Sequence, residues 1–124
     1  MPVIHADQAE LHTMHGTSFT AFASPGRGSH ELCAWHVEIP GNTTGVPHFV
    51  SREEVLYVLS GTLQATVDGG TEEAAAGDVI LVPAGAQFGV DNLADEPATA
   101  WVTTSAGFRA VLPDGSWFAP PWTE

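Results

Sequence analysis

The sequence predicts a single all-β domain, folded as a sandwich or barrel. Short segments of about four to eight residues alternate apolar and polar side chains, as expected for strands with one buried face. Turn-forming Gly, Pro, Asn and Asp residues separate these segments about every 8 to 12 positions, and no segment has the longer period of an amphipathic helix. The 124 residues are enough for one domain with its own core but too few for two.

The composition is strongly acidic, with 15 Asp and Glu residues, no lysine and a formal net charge of −12. The three arginines, Arg27, Arg52 and Arg109, are scattered along the chain. Binding to the phosphates of a nucleic acid, or to an anionic membrane, needs a cluster of basic side chains. We therefore expect neither a nucleic acid nor a membrane as a partner, and we interpret the acidity as a contribution to solubility.

The single cysteine, Cys33, excludes an internal disulfide and lies within an apolar segment. A buried, unreactive thiol is the favoured interpretation, ahead of a nucleophile or a metal ligand. The N-terminal residues have neither the basic nor the apolar segment of a secretion signal, and no apolar segment is long enough to cross a membrane. These features predict a soluble, cytoplasmic protein.

The first part of the chain, residues 1–16, is polar and rich in histidine, and we predict that it is an N-terminal arm. Asp7 is a suitable N-cap for a short helical turn through Leu11. The histidines of this segment lack the i, i+4 spacing of a helical metal site. We interpret them as solvated or packing side chains: His5, His12 and His15.

Strand-like alternation continues through residues 17–112, which form the predicted barrel. The predicted strands cover residues 17–23, 30–39, 62–67, 71–75, 98–105 and 107–112. Two further segments, 47–61 and 77–92, have a strand–turn–strand pattern. Asp68, followed by two glycines, predicts a hairpin turn between two of the strands.

The alternation within residues 30–39 separates an apolar face from a mixed one. The apolar face carries Cys33, Trp35, Val37 and Ile39, and the mixed face carries Leu32, Ala34, His36 and Glu38. Alternation alone leaves open which face lines the interior. His36 is therefore a candidate for the inside or the outside of the barrel.

The C-terminal tail, residues 113–124, carries Trp117, Phe118 and Trp122 among several prolines. Because proline cannot donate a backbone hydrogen bond, this tail cannot be a central strand. Aromatic side chains in such a tail usually pack on the barrel or on a partner subunit. We therefore predict a lid or a dimer contact.

The segment 47–61 places His48 and Glu54 six residues apart. If the backbone is extended throughout, residues an even number apart point to the same side, so both side chains would share one face. The segment 77–92 contains a strand, a Pro-x-Gly turn and a second strand. We expect it to form the wall that faces the histidine and the carboxylate.

On these residues the sequence resembles the cupin superfamily of small jelly-roll β-barrels. The first motif of that family is matched by Gly41, His48, Glu54 and Gly61, with six residues instead of five between the first two. The second motif is matched at the family's spacing by Gly77, Pro83, Gly85 and Asn92. The resemblance implies a cupin double-stranded β-helix, a jelly-roll barrel, over residues 17–112.

The sequence departs from the family at two of the four positions that the resemblance identifies as metal ligands. Val50 and Phe88 stand where the family has histidines, so only His48 and Glu54 remain. A divalent transition metal in a protein usually takes three or four protein ligands. We therefore expect no cofactor. An iron, manganese or zinc ion would need a substitute ligand: His36 or Gln64.

The first functional hypothesis is a metal-independent isomerase, cyclase, epimerase or lyase that acts on a small metabolite. Two ionisable side chains in an apolar barrel are in the environment that shifts pKa values toward catalytic use. His48 is assigned as acid or base, and Glu54 as the hydrogen-bonded carboxylate that orients it. Tyr57 and His36 are candidate second proton donors. The resemblance implies polyketide-like, sugar or aromatic metabolites as substrates.

Two other hypotheses stay open. One is a non-catalytic module that binds or senses a small apolar metabolite, with stacking surfaces on Trp35, Trp101 and Phe88. The other is a metal-dependent enzyme, such as a dioxygenase, with substitute ligands. In each case the predicted pocket is lined by Val50, Leu56, Val58, Phe88, Gln64, Trp35 and Trp101. The resemblance also implies a homodimer.

Overall fold

Twelve strands and three 3₁₀ helices make up the computed structural model, which describes residues 3–124. In chain order the strands are β1 (Glu10–Met14), β2 (Thr17–Ala23), β3 (Leu32–Ile39), β4 (His48–Val50), β5 (Glu54–Ser60), β6 (Thr62–Val67), β7 (Gly70–Ala75), β8 (Val79–Val82), β9 (Gln87–Asp91), β10 (Ala98–Ser105), β11 (Ala110–Val111) and β12 (Trp117–Phe118). The 3₁₀ helices are Ala6–Gln8, Pro25–Arg27 and Pro121–Thr123. The described part of the chain has no helix long and apolar enough to cross a membrane.

The strands form two antiparallel sheets of six, in the orders β1-β2-β3-β10-β5-β8 and β12-β11-β4-β9-β6-β7. Successive strands often belong to different sheets, as β4 and β5 do, and the chain winds from one sheet to the other as in a jelly-roll barrel. The all-β fold is thus confirmed. The two segments predicted to face each other instead lie side by side, because β8 pairs with β5 and β9 pairs with β4.

The core lies between the two sheets, where alternation directs the apolar side chains. The inner face of β3 carries Cys33, Trp35 and Val37, none of them more than 4% exposed. This is the apolar face of the predicted strand. His36 therefore lies on the outer face, in register with Trp101 of β10.

Three predicted strands have the bounds that the structure shows: Thr17–Ala23, Thr62–Val67 and Ala98–Ser105. The predicted hairpin also forms, because Asp68 (φ 49°) and Gly69 (φ 84°) adopt the left-handed conformation that a two-residue turn requires. The predicted strand at 107–112 is reduced to β11. Gly107, the first residue of the predicted strand, has φ 87°, so the chain turns there instead of extending.

The predicted helical turn from Asp7 to Leu11 is wrong. The structure has a 3₁₀ helix at Ala6–Gln8, and the residues that follow form β1, which pairs with β2. A tight turn at His15 (φ 52°) and Gly16 (φ 81°) joins the two strands. Long-range strand pairing outweighs a local helical preference that so short a segment cannot sustain alone. The N-terminal segment thus extends the first sheet.

The C-terminal tail folds back on the barrel of its own chain. Trp122 is 6% exposed, and its ring stacks on that of Phe19 with 3.7 Å between centroids and 6° between planes. The end of the tail is held by the backbone N–H of Gly26, which donates to the carbonyl oxygen of Glu124 at 2.7 Å. Trp117, by contrast, is 62% exposed. The tail therefore forms part of the barrel wall.

Candidate functional site

A cavity of about 430 Å³ lies between the inner faces of the two sheets. Its walls are mainly apolar and come from both sheets, from the turn between β1 and β2, and from the C-terminal tail. Three of the lining side chains carry groups that exchange protons: His15, His48 and Glu54. Sites that bind small organic molecules measure about 300 to 1,000 Å³, so the cavity is of that size.

Glu54, the first residue of β5, lies on the cavity wall with only 6% of its surface exposed. Its Oε2 atom has no hydrogen-bond partner among the described residues. Burial removes water from the carboxylate and so raises the pKa of Glu54 from its ordinary 4.5 to about 8. At neutral pH the side chain is therefore mainly an uncharged carboxylic acid, which both donates and accepts hydrogen bonds.

The inward direction of Glu54 follows from strand pairing on both sides. β5 lies between β10 and β8, with Glu54 opposite Thr104 and Val82. Thr104 is buried, but its hydroxyl donates to the backbone carbonyl of Glu53 at 2.7 Å, not to the Glu54 carboxyl. The alternation of β5 then places Glu54 and Leu56 on the inner face. Neither neighbouring strand therefore offers a hydrogen bond to the Glu54 carboxyl group.

The chain crosses from the second sheet to the first between His48 and Glu54. β4 ends at Val50, and the backbone N–H of Ser51 donates to the carbonyl oxygen of Arg109 at 3.0 Å. In return, the backbone N–H of Arg109 donates to Ser51 Oγ at 2.6 Å. The continuous extended run considered from the sequence is therefore not formed. His48 and Glu54 belong to different sheets, and both line the same cavity.

His48 is half-buried at the start of β4, and its Nδ1 atom lies 3.0 Å from the carbonyl oxygen of Val46. Because a carbonyl oxygen only accepts, Nδ1 carries the proton and donates, and the neutral ring keeps Nε2 as an acceptor. The edge of the ring meets Phe88, with 6.0 Å between centroids and 67° between planes. In this tautomer, the ring nitrogen that can act as a base is Nε2.

The predicted hydrogen bond between His48 and Glu54 is absent. The Nδ1 atom of His48 is engaged by Val46, and Oε2 of Glu54 is unpartnered within residues 3–124. Because the two residues start strands of different sheets, they line the cavity as separate groups. This arrangement allows them to act on different atoms of one bound molecule, whereas a hydrogen-bonded pair acts as one unit.

The predicted pocket-lining residues divide according to the strand face that they occupy. Trp35, Leu56 and Phe88 line the cavity. Val50 and Val58 are also on inner faces, at 1% and 0% exposed, but they belong to the core and not to the cavity wall.

Four other predicted site residues lie on outer faces, away from the cavity. Tyr57 is 47% exposed, and the ring of Trp101 packs on Phe22 with 5.3 Å between centroids. His36 is in register with Trp101, and Gln64 lies between two buried neighbours on β6. The structure therefore corrects the roles given to them, because alternate residues of these strands face outward. Tyr57 and His36 are therefore not placed to donate protons in the cavity, Trp101 is not a stacking surface there, and Gln64 is not pocket lining. His36 and Gln64 are also not placed to act as substitute metal ligands.

Several residues that line the cavity are not singled out for this site by the sequence: His15, Phe19, Phe108, Phe118 and Trp122. His15 takes the left-handed conformation of a tight turn, and the sequence signal for that turn is the glycine that follows it, Gly16. The aromatic residues reach the cavity through contacts between distant parts of the chain. The composition of the tail predicts packing on the barrel or on a partner subunit, but no local pattern indicates which side chains reach the cavity.

The polar groups of the cavity do not fit a transition-metal site. Val50 and Phe88, at the other two positions where the resemblance implies ligands, are apolar and no more than 4% exposed. Within residues 3–124 no group of three or more His, Cys, Asp or Glu side chains is placed to hold a metal ion. His48 and Glu54 alone fall short of the three or four ligands that such an ion usually takes.

More than half of this chain matches a known protein family. A family model described as "Cupin domain" matches residues 35–104. A search of curated proteins found no significant match.

Several solved structures share this fold. The polyketide cyclase RemF from Streptomyces resistomycificus matches with a TM-score of 0.74 and 21% identity, covering 85% of this chain and 79% of that one. A cupin-superfamily sugar phosphate isomerase from Silicibacter pomeroyi has a TM-score of 0.75 and 18% identity, covering 98% and 95% of the two chains. KdgF from Halomonas sp. has a TM-score of 0.70 and 18% identity, covering 82% and 92%. At these identities the likeness shows the fold alone.

The raised pKa of Glu54 predicts a stability that declines with pH. Between its ordinary pKa of 4.5 and about 8, the folded protein keeps a proton that the unfolded chain has released. The stabilisation from this group is therefore fully present below about pH 4.5 and is lost progressively until about pH 8. We expect Glu54→Gln to remove this decline, so that the variant gains stability relative to the native protein as the pH rises.

Urea unfolding at several values between about pH 4 and pH 9 measures this effect. Glu53→Gln, which changes an exposed neighbour of Glu54, is the matched control and should keep the native pH dependence. Equal pH dependence in the native protein and in Glu54→Gln would contradict the assignment.

Proposed function

Because this chain belongs to the cupin family, we propose that its barrel binds a small molecule and acts on it as a metal-independent isomerase, cyclase or lyase. The observation that carries the proposal is the carboxyl group of Glu54, buried on the wall of an apolar cavity with an unpartnered oxygen. A buried carboxyl that serves stability normally has its hydrogen bonds satisfied within the protein. An unsatisfied one on a cavity wall is placed to meet a ligand.

Glu54 and His48 supply the two halves of a proton transfer. Uncharged Glu54 donates a proton to an oxygen of the substrate, such as a carbonyl oxygen. His48, with Nε2 free to accept, removes a proton from the carbon next to that carbonyl. The substrate becomes an enol, and return of the protons at another carbon, or to a leaving group, completes an isomerisation, ring closure or elimination. The two residues regain their starting states, so no oxidant or reductant is consumed.

Two of the structural neighbours support a reaction of this class. A polyketide cyclase and a sugar phosphate isomerase have names that denote rearrangements of bonds within one molecule. Acid–base catalysis is a common route to both kinds of reaction. The two neighbours differ in substrate, however, so they do not select one for this chain.

The alternative is a module that binds or senses a small molecule without converting it. The size and apolar walls of the cavity favour this alternative equally, because both are properties of a binding site. The two hypotheses differ in the fate of the ligand, which leaves a binding module unchanged. A metal-dependent reaction, the third hypothesis, is disfavoured by the two apolar side chains Val50 and Phe88 at family ligand positions.

Removal of either proton-transfer group is expected to slow the reaction by about 10² to 10⁴-fold. Glu54→Gln keeps the shape of the side chain but cannot release a proton, and His48→Gln removes the base. The measurement is mass spectrometry of small carbonyl metabolites incubated with the protein in D₂O, because a proton removed from carbon returns as deuterium. Deuterium uptake or product formation by the native protein would also exclude the binding-only alternative.

Glu53→Gln and His36→Gln are the matched controls for this experiment. They make the same chemical changes at residues outside the cavity and should keep native rates. Undiminished turnover in both Glu54→Gln and His48→Gln would refute the proposed roles.

We further propose that the protein acts without a transition metal. Elemental mass spectrometry of protein purified from metal-supplemented cells should then find well below one equivalent of iron, manganese, zinc or copper. The His48→Ala variant, which removes one of the two remaining family ligands, should give the same low content. Near-stoichiometric metal in the native protein that disappears in the variant would revive the metal-dependent hypothesis.

We also propose that the protein forms a homodimer through the outer face of β5 and β8. This face exposes five apolar side chains, each between 36% and 57% exposed, and no charged one: Val55, Tyr57, Leu59, Val79 and Leu81. They are contiguous, because Val55 is opposite Leu81 and Tyr57 is opposite Val79. β8 is also an edge strand. A two-fold axis over this face would pack the two copies face to face and bury both apolar surfaces.

A charge placed on this face should separate the subunits. We expect Leu81→Glu to shift the protein from dimer to monomer in sedimentation equilibrium. Leu11→Glu is the matched control, since Leu11 is 63% exposed on β1 at the opposite edge of the sheet, and it should leave the dimer intact. A native monomer, or a dimer insensitive to Leu81→Glu, would rule out this interface.

A further inference from the structure

We infer that the cavity recognises an uncharged, planar aromatic molecule that carries an oxygen substituent. In this arrangement the ring packs on the aromatic side chains of the cavity, Trp122 among them, and the oxygen hydrogen-bonds to Glu54. The inference deepens the proposed function and rests on it only for the assignment of this cavity as the site of action.

Six aromatic side chains line the cavity and are here called the aromatic wall: Phe19, Trp35, Phe88, Phe108, Phe118 and Trp122. Flat rings make the best contacts with such side chains, through stacked and edge-to-face packing. Phe19 and Trp122 already stack at 6° to each other, which holds the indole ring in one orientation. A ring that is held in place before binding loses little conformational freedom when a ligand arrives.

No permanent positive charge lines the cavity. The chain has no lysine, and none of its three arginines is among the lining residues that the structure describes. Arg27 lies 3.7 Å from a carboxylate oxygen of Glu10, and Arg109 lies over Trp117 at 5.2 Å from the ring centroid. A ligand phosphate or carboxylate would lose its water without gaining an arginine or lysine partner. An uncharged ligand avoids this cost.

The elements packed against Glu54 leave its Oε2 atom without a hydrogen bond, so a ligand can supply one. On β10 the hydroxyl of Thr104 is turned to the backbone, and on β8 the residue opposite is Val82. The other ionisable groups on the cavity wall are His15 and His48, and neither hydrogen-bonds to Oε2 of Glu54. A hydroxyl or carbonyl oxygen on the ligand would satisfy this buried group.

Most of the aromatic wall lies outside the part of the chain that the family model matches, residues 35–104. Phe19 precedes that segment, and Phe108, Phe118 and Trp122 follow it. The shared part of the barrel therefore supplies the two proton-transfer groups, whereas flanking segments supply most of the surface for a ring. The choice of ligand is accordingly expected to depend mainly on the flanking segments.

The test compares three probes of one ring size by equilibrium dialysis against the whole 124-residue chain at pH 7. 2-Naphthol is uncharged and carries an oxygen, naphthalene lacks the oxygen, and 2-naphthoate carries a negative charge. We expect 2-naphthol to bind about tenfold more tightly than 2-naphthoate and several-fold more tightly than naphthalene. In Glu54→Leu the advantage of 2-naphthol over naphthalene should disappear.

Variants of the tail test the aromatic wall. Trp122→Leu and Phe118→Leu each remove one ring from it, and each should weaken 2-naphthol binding by about five- to tenfold. Trp117→Leu is the matched control, because Trp117 is in the same tail but is 62% exposed and does not line the cavity. Phe118 is only half-buried, so Phe118→Leu keeps the test decisive if Trp122→Leu fails to fold.

Binding of 2-naphthoate as tight as that of 2-naphthol, or of naphthalene as tight as 2-naphthol, would overturn the inference. Native affinity in every folded variant of the aromatic wall would do so as well. The predicted order of affinities with no deuterium uptake in any compound would support the ligand class and contradict the proposed enzyme. Deuterium uptake into a sugar phosphate, with no binding of 2-naphthol, would support an enzyme and overturn the ligand class.

Discussion

The candidate site depends on the point at which the chain leaves one sheet and enters the other. Between β4 and β5, Ser51 exchanges two hydrogen bonds with the backbone of Arg109, and Glu53 accepts one from a buried threonine of β10. These contacts hold the end of one strand and the beginning of the next. Because of them, His48 and Glu54 reach the cavity from different sheets. Two groups held apart in this way can enclose a ligand between them.

The apolar surroundings of the cavity account for two of its properties together. Phe88 and Val50 take the positions where the resemblance implies metal-binding histidines, so the polar groups present are too few for a metal. Apolar side chains also keep water away from Glu54, and this loss of water raises the pKa of its carboxyl group. In so dry an environment every polar contact with a ligand is strengthened. The lack of metal ligands and the presence of an uncharged acid thus have one physical origin.

Much of the fold was predictable because local alternation and turn residues agree with the final strand pairing. The motif residue Asn92 proves structural, since it is fully buried and its side-chain N–H donates to the carbonyl oxygen of Ile39 at 3.1 Å. Spacing does not reveal which face of a strand meets the opposite sheet when both faces carry apolar residues, and the orientation of His36 stayed open for that reason. Tyr57 was misassigned, because strand alternation already places it on the other face from Glu54 and Leu56. Trp122 reaches the cavity only through packing between the two ends of the chain.

The anchoring of the tail has a consequence for the exchange of segments between related barrels. A Cβ atom at Gly26 would come within 2.6 Å of the carbonyl oxygen of Glu124, so any side chain there is incompatible with the docked tail. The loop before β3 and the tail are therefore a matched pair. A chimera that receives its tail from another family member must receive this loop with it. Such a transplant would replace Phe118 and Trp122, the two rings that the tail contributes to the aromatic wall, and leave His48 and Glu54 in place. The barrel is in this sense a two-part scaffold for design.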